Sequence, residues 1–380
     1  MSLGFISTYD ASDVRSWSGT PFFMAQGMRQ QGLAVELIGP LCEAFALPFR
    51  FRSVLQRRLG MKTYLWDRDP LVLDALGRAG ARKLLESKAT VAFSPGTVVL
   101  ANLKCKQPIV FWTDMPFEAS LDFYVPRASI SAQSLKNGHA MEQAALTRAS
   151  LAIYSSDWAR EAAIANYNVD PSKVKTIPFG CNISWDFNEA EAGRFIEARS
   201  RDVCNLVFVG VKWQRKGGPF ALEVTRLLTK RGLRTHLTIL GCEPDTSVDD
   251  NVTVRPFLRK SDAEGLAEFQ KILAAAHFLI LPTRADCTPM VIGEANSLGV
   301  PCLVTDVGGI PSLVRSGVNG QMFPLSETPN MWADWVAAIY ENSASYSELA
   351  RSSFREYATR LNWPSSIQNF GQQLRHRGLL

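Results

Sequence analysis

The chain has 380 residues, 46% hydrophobic and 20% charged, with a net charge of +5; this length exceeds what one core ordinarily serves and points to two globular domains. Its seven cysteines (Cys42, Cys105, Cys181, Cys204, Cys242, Cys287 and Cys302) and four histidines are scattered without CxxC, HExxH or mixed clusters, which argues against a disulfide framework or a protein-held metal and for reduced thiols in the cytoplasm. No run of about 18 uncharged apolar residues occurs, so no membrane span is expected, and the modest positive charge suits an anionic substrate or a peripheral place on an anionic membrane.

The opening MSLGFISTYD lacks a basic region followed by a long apolar one and is expected to be a buried strand, not a signal peptide. Short apolar runs then alternate with helical patterns. In the first half, strands are predicted at GFISTY, LAVELIG, TVAFSP, PIVFWTD and SLAIYSS; in the second, at CNLVFVG, THLTILG, NVTVRPF, HFLILPT and VPCLVTD. Val, Ile, Leu and Phe fill these runs with little alternation, as strands covered on both faces require. Helices are predicted over 219–232, opened by a proline and closed by Gly232, and over 261–276, where Ser261 and Glu264 have capping-box spacing. The polar stretch 182–200 separates the two sets. The expected organisation is α/β: two doubly wound domains, 1–182 and 183–362, with a closing helix over 363–380 joining the first, and a cleft between them as the default site.

Candidate functional residues follow in chain order. After the first strand, Ser18, Gly19 and Thr20 precede a helix from about Pro21, and Gly19 allows close backbone approach. No GxGxxG is present, which counts against a dinucleotide oxidoreductase. Residues 47–70 carry Arg50, Arg52, Arg57, Arg58 and Lys62 among aromatic and aliphatic side chains. A solvated helix face, a peripheral contact with anionic lipid and an acceptor-binding role all fit that pattern. Thr113 and Asp114 end a strand, where the pair could form a wall of a binding site or Asp114 could cap the next helix.

In NLVFVGVKWQRKGG, a strand ends at Gly210 and a loop with Lys212, Arg215 and Lys216 follows, either binding phosphate or simply solvated. The segment 283–311 reads strand, loop, helix, strand and glycine loop. Thr288 suits an N-cap and Pro289 the first helical position, which would leave the N–H groups of Met290, Val291 and Ile292 facing an anion. Glu294 could then accept hydrogen bonds from a ribose diol, or cap a neighbouring helix.

The order Asp286, CTPMVIG, Glu294, then Gly308, Gly309 and Pro311 resembles the motif of glycosyltransferase family 4, and the likeness extends from Gly4 to about Gly320. The resemblance implies the GT-B architecture and a retaining, metal-independent hexosyltransferase without a cofactor. Its donor would be a UDP-sugar or GDP-mannose; its acceptor a glycan or lipid-linked hydroxyl compound in polysaccharide or glycoconjugate synthesis, with no nucleic acid. It assigns Glu294 to the donor ribose, Asp286 to the donor sugar, Lys216 to the departing diphosphate, Gly19 and Gly210 to close approach, and backbone near Phe257 and Leu258 to the base. The chain departs from the pattern in three places. Asp286 stands for the usual Glu, Pro289 for a small glycine, and Val211 for an arginine whose role passes to Lys212 or Arg215. A weakly active nucleotide-sugar-binding subunit and a sugar-nucleotide epimerase are the alternative readings.

Overall fold

A computed structural model describes residues 2–41 and 44–380; Cys42 lies outside the described residues. The strands are β1 (Ser2–Ile6), β2 (Ala34–Ile38), β3 (Val91–Ser94), β4 (Ile109–Thr113), β5 (Ala149–Tyr154), β6 (Val174–Thr176), β7 (Cys204–Val209), β8 (Thr235–Leu240), β9 (Val252–Arg255), β10 (Phe278–Leu281), β11 (Cys302–Thr305) and β12 (Gly320–Phe323). They form two six-stranded sheets in the orders β2-β1-β3-β4-β5-β6 and β12-β11-β10-β7-β8-β9. Every strand pair is parallel. The central strands β3, β4 and β10 are buried along their whole length, because the crossover helices that parallel pairing demands cover both faces. The doubly wound GT-B architecture expected from the sequence is the one observed.

The chain forms two compact units, Met1–Pro178 with Ser366–Leu380, and Phe179–Ser365. Each sheet has a point where the strand order reverses. In the first it lies between β1 and β3; in the second, between β7 and β10. Connections leave such a point in opposite directions and open a crevice at the carboxyl ends of the strands.

The structure adds β6 and β12, which the sequence reading passed over. Both are edge strands of three and four residues, and a short edge strand half open to solvent lacks the continuous apolar run that marks a central one. Helix limits also shift. The helix Ala263–Ala275 is capped by Asp262, whose side chain accepts from Gly265 N at 2.7 Å, not by Ser261; an aspartate one residue later offers the better acceptor for the N3 amide.

Two aromatic residues anchor the chain's last helix, Trp363–His376. Within the first unit, the fully buried Phe370 stacks on Trp112 at 5.7 Å and meets Phe93 edge-on at 5.5 Å, while Trp112 Nε1 donates to Ile177 O. Within the second unit, Trp363 stacks on Phe179, and its indole N–H donates to Asn182. A Cβ at Gly180 would collide with the Trp363 backbone, so the turn before Cys181 tolerates only glycine. Phe370→Ala is expected to destabilise the first unit by about 3–5 kcal/mol through lost burial and the cavity left behind. Urea unfolding followed by tryptophan emission measures that loss.

Candidate functional site

In the second unit, the loops after β7 and β10 meet at the point of strand reversal. The basic stretch after β7 is not an open loop. Trp213–Lys216 forms a single helical turn, held by the buried Trp213, whose indole N–H donates to Asp245 at 3.0 Å. Gly217 then turns the chain with φ +81°, and a Cβ there would fall on the carbonyl oxygen of Pro282. Only glycine satisfies both the left-handed backbone and this approach. The helix Gly218–Lys230 follows directly.

This tight turn presses the two loops together. Arg284 N donates to Arg215 O at 2.8 Å, Thr283 Oγ1 donates to the same carbonyl at 3.2 Å, and the Arg215 guanidinium donates to Ala285 O. Lys216 Nζ is ion-paired with Asp286, and both side chains are largely withdrawn from solvent. Gly210 lies under the Lys216 stem, where a Cβ would come within 3.0 Å of Cγ. Lys216, Arg215, Gly210 and Asp286 are therefore gathered in one place. Lys212 is exposed, and its backbone carbonyl, not its ammonium, serves the turn by accepting from Lys216 N at 2.8 Å. Of the two, Arg215 is the one brought beside Lys216 and Asp286.

The acid-loop helix corrects the sequence reading. It spans Val291–Asn296, with Met290 at the N-cap position, two residues beyond Thr288. Ile292 N already donates to Pro289 O at 3.1 Å, and Glu294 N donates to Met290 O at 3.2 Å, so the Ile292 N–H is spent inside the turn and does not face an anion. Six residues give little macrodipole; positive charge here comes mainly from side chains.

Glu294 is 2% exposed and ion-paired with Lys260 Nζ, which also lies 5.3 Å from the centre of the Phe269 ring. Glu294 caps no neighbouring helix. Sequence reasoning missed Lys260: it sits in the irregular stretch after β9, and no periodicity ties it to an acid 34 residues later. A buried carboxylate with no cation nearby in sequence is the only clue that such a lysine must exist. Phe257 is exposed, and with Leu258 it borders an open groove that also takes in Arg259 and Lys271.

In the first unit, a cavity of about 570 Å³ opens at the carboxyl ends of β1, β3 and β4. Thr113 and Asp114 line it with Tyr9, Trp17, Trp66 and Phe117; Tyr9 and Trp17 stack at 5.6 Å. The helix after Asp114, Phe117–Ser120, has Pro116 at its N-cap position, two residues beyond Asp114. Gly19 takes the left-handed φ of +86° immediately before the helix Thr20–Gln30.

The cavity floor holds a residue the sequence did not single out. Glu142 is 1% exposed, accepts from Thr97 Oγ1 at 2.9 Å and Tyr154 OH at 3.2 Å, and has its carboxyl pushed up to about 7 by burial, against the pull of those hydrogen bonds and of Arg68. It sits mid-helix in Ala132–Arg148, where a lone glutamate looks like any solvated helix residue.

Because Glu142 binds its proton more tightly folded than unfolded, it lowers stability as pH rises from about 4.5 to about 7, by roughly 3 kcal/mol in all. Glu142→Gln is expected to unfold at a higher temperature than the parent at pH 8, with the gap closing below about pH 5 as the carboxyl becomes neutral. Paired melting curves across that range test this; a gap that does not change with pH would contradict it.

Residues 204–342 match the family described as glycosyl transferases group 1. Over 236 residues the chain is 25% identical to the D-inositol 3-phosphate glycosyltransferase of Saccharomonospora viridis, covering 58% of this chain and 54% of that protein. It is 24% identical over 226 residues to the alpha-D-kanosaminyltransferase of Streptomyces kanamyceticus, covering 56% of each. The chain thus spans about half the length of the curated relatives it matches. In fold it is similar to the sucrose-phosphate synthase of Thermosynechococcus elongatus, with a TM-score of 0.67, 15% identity and coverage of 99% and 98%. It is also similar to Anabaena HepE in complex with UDP-glucose, with a TM-score of 0.61, 15% identity and coverage of 99% and 100%.

Proposed function

We propose that this chain, a group 1 glycosyl transferase through its residues 204–342, moves a sugar from a nucleoside diphosphate sugar to an acceptor hydroxyl, with the donor on the second unit and the acceptor on the first. The observation that carries this reading is the matched pair of buried contacts Asp286–Lys216 and Glu294–Lys260. Buried carboxylates persist only when paired, and each holds a cation in position before any substrate arrives. An incoming diphosphate can take over Lys216 and Arg215, and Glu294 can then accept hydrogen bonds from the ribose diol while Asp286 turns towards the sugar. The exposed Phe257 and the backbone of Leu258 are suited to the base.

In the reaction, the bond from the anomeric carbon to the diphosphate oxygen breaks as the acceptor oxygen bonds to the same face of that carbon. The acceptor proton passes to the departing diphosphate, so configuration is retained and no protein base is required. The chain contributes position and fixed positive charge where negative charge develops; with lysine and arginine supplying that charge, a metal has no necessary part. UDP-sugars and GDP-mannose are the donors to test first, and the named complex of HepE with UDP-glucose favours starting with UDP. The cavity of the first unit, with aromatic faces beside hydroxyl and carboxylate groups, suits a sugar or polyol acceptor. A lipid-linked intermediate of polysaccharide or glycoconjugate synthesis at the inner face of a membrane fits the basic segment 47–70.

UDP or GDP is expected to raise the melting temperature without magnesium, by mass action on the folded state, and Lys216→Ala to abolish that rise. The same variant is expected to lose about a hundredfold or more in turnover, and to melt below the parent because Asp286 is left buried without its cation. A Lys216→Ala protein that still binds and turns over the donor would end this assignment.

A further inference from the structure

The helix Leu47–Arg58 has no buried residue. At about 100° per residue, Leu47, Phe51, Val54 and Leu55 fall on one stripe, and that stripe faces solvent. Phe51 is 69% exposed and Leu47 60%, and the chain continues the patch with Phe45 before the helix and Leu59 and Met61 after it. An outward apolar stripe inverts the usual arrangement, in which such a face seeks the core.

The helix is nevertheless held firmly. On its inner side Phe49 packs against the first unit's core, and Ser53 Oγ donates to Tyr64 O at 2.7 Å. Arg50 and Arg52 each lie 4.5 Å from a ring centre, over Trp66 and Tyr64. The exposed stripe is therefore built, not frayed.

Charge identifies what covers it. Between residues 44 and 66 there are four arginines and Lys62, but no aspartate or glutamate. Arg52 flanks one side of the stripe, Arg50 and Arg57 the other, and Arg58 lies within it. A second copy of the chain would set like charges against each other across a two-fold contact. A stripe of separated apolar side chains on a convex helix, rimmed by arginines, fits a bilayer with anionic headgroups.

We infer that the 47–58 helix lies on an anionic membrane surface, with Phe45, Phe51, Leu55 and Leu59 in the acyl boundary and the arginines at the phosphates. Ala46, Arg50 and Trp66 also line the 570 Å³ cavity, so the helix would bring that cavity to the lipid surface. The inference stands apart from the donor assignment, since it concerns lipid and not nucleotide.

The test is flotation of the full chain with vesicles of phosphatidylcholine containing about a quarter phosphatidylglycerol, beside phosphatidylcholine alone. The parent should float with the anionic vesicles, much less with the neutral ones, and less as salt is raised. Phe51→Glu/Leu55→Glu and Arg57→Glu/Arg58→Glu should each reduce the bound fraction about tenfold or more. Both should keep the parent's melting temperature and its response to nucleoside diphosphate, because the altered side chains face solvent. A dye on Phe51→Cys should shift to the blue on anionic vesicles only. The inference fails if the parent does not float, or if the Phe51→Glu/Leu55→Glu chain floats equally well. It also fails if sedimentation shows a parent dimer that this variant dissolves, because a second copy would then be the occupant.

Discussion

The ion pair between Lys216 and Asp286 joins the two loops that leave the second sheet where its strand order reverses. Neither charge could be withdrawn from water alone at a tolerable cost. Together they are affordable only if the surrounding backbone is satisfied, and here it is: Arg215 bonds the Ala285 carbonyl, while Arg284 and Thr283 bond the Arg215 carbonyl. Gly217 is the mechanical condition, since its left-handed backbone lets the chain pass against Pro282. Buried pairs of this kind contribute little net stability. What they determine is place, and the place is the carboxyl edge of a parallel sheet.

A second buried carboxylate repeats the arrangement with a different origin for its partner. Glu294 and Asp286 both belong to the stretch after β10, yet their lysines come from the loops after β9 and β7. Three connections that are distant in sequence thus contribute to one sheet edge, because parallel strands deliver all their carboxyl ends there.

The first unit uses the same topology for different chemistry. Its edge carries a cavity lined by aromatic rings and floored by Glu142, and the ion pair in its lining, Arg68 with Asp67, is more open to solvent than those of the second unit. Glu142 has hydroxyl partners in place of a lysine, so its carboxyl rises towards neutrality while those of the second unit are met by cations. Beside this cavity, the arginine-rich 47–58 helix turns its apolar side chains outward. Two kinds of lining, one of paired charges and one of rings, hydroxyls and a buried carboxyl, are therefore borne by two units of similar plan.

The sequence by itself determined the fold class. Unbroken runs such as FLIL and CLVT can only be strands covered on both faces, and their alternation with amphipathic helices requires parallel sheets. It also marked Asp286, Glu294 and Lys216, because motif spacing along one chain survives in the primary structure. It did not disclose β6 and β12, whose edge positions need little apolar content, nor the true start of the acid-loop helix at Met290, where Pro289 O captures the Ile292 N–H. Lys260 and Glu142 were beyond reach for a deeper reason. Their meaning lies in partners brought close only by folding: Glu294 for one, Thr97 and Tyr154 for the other. Periodicity reports which face of an element is buried. Which charges share that burial, and at what distance, is decided only when the sheets close.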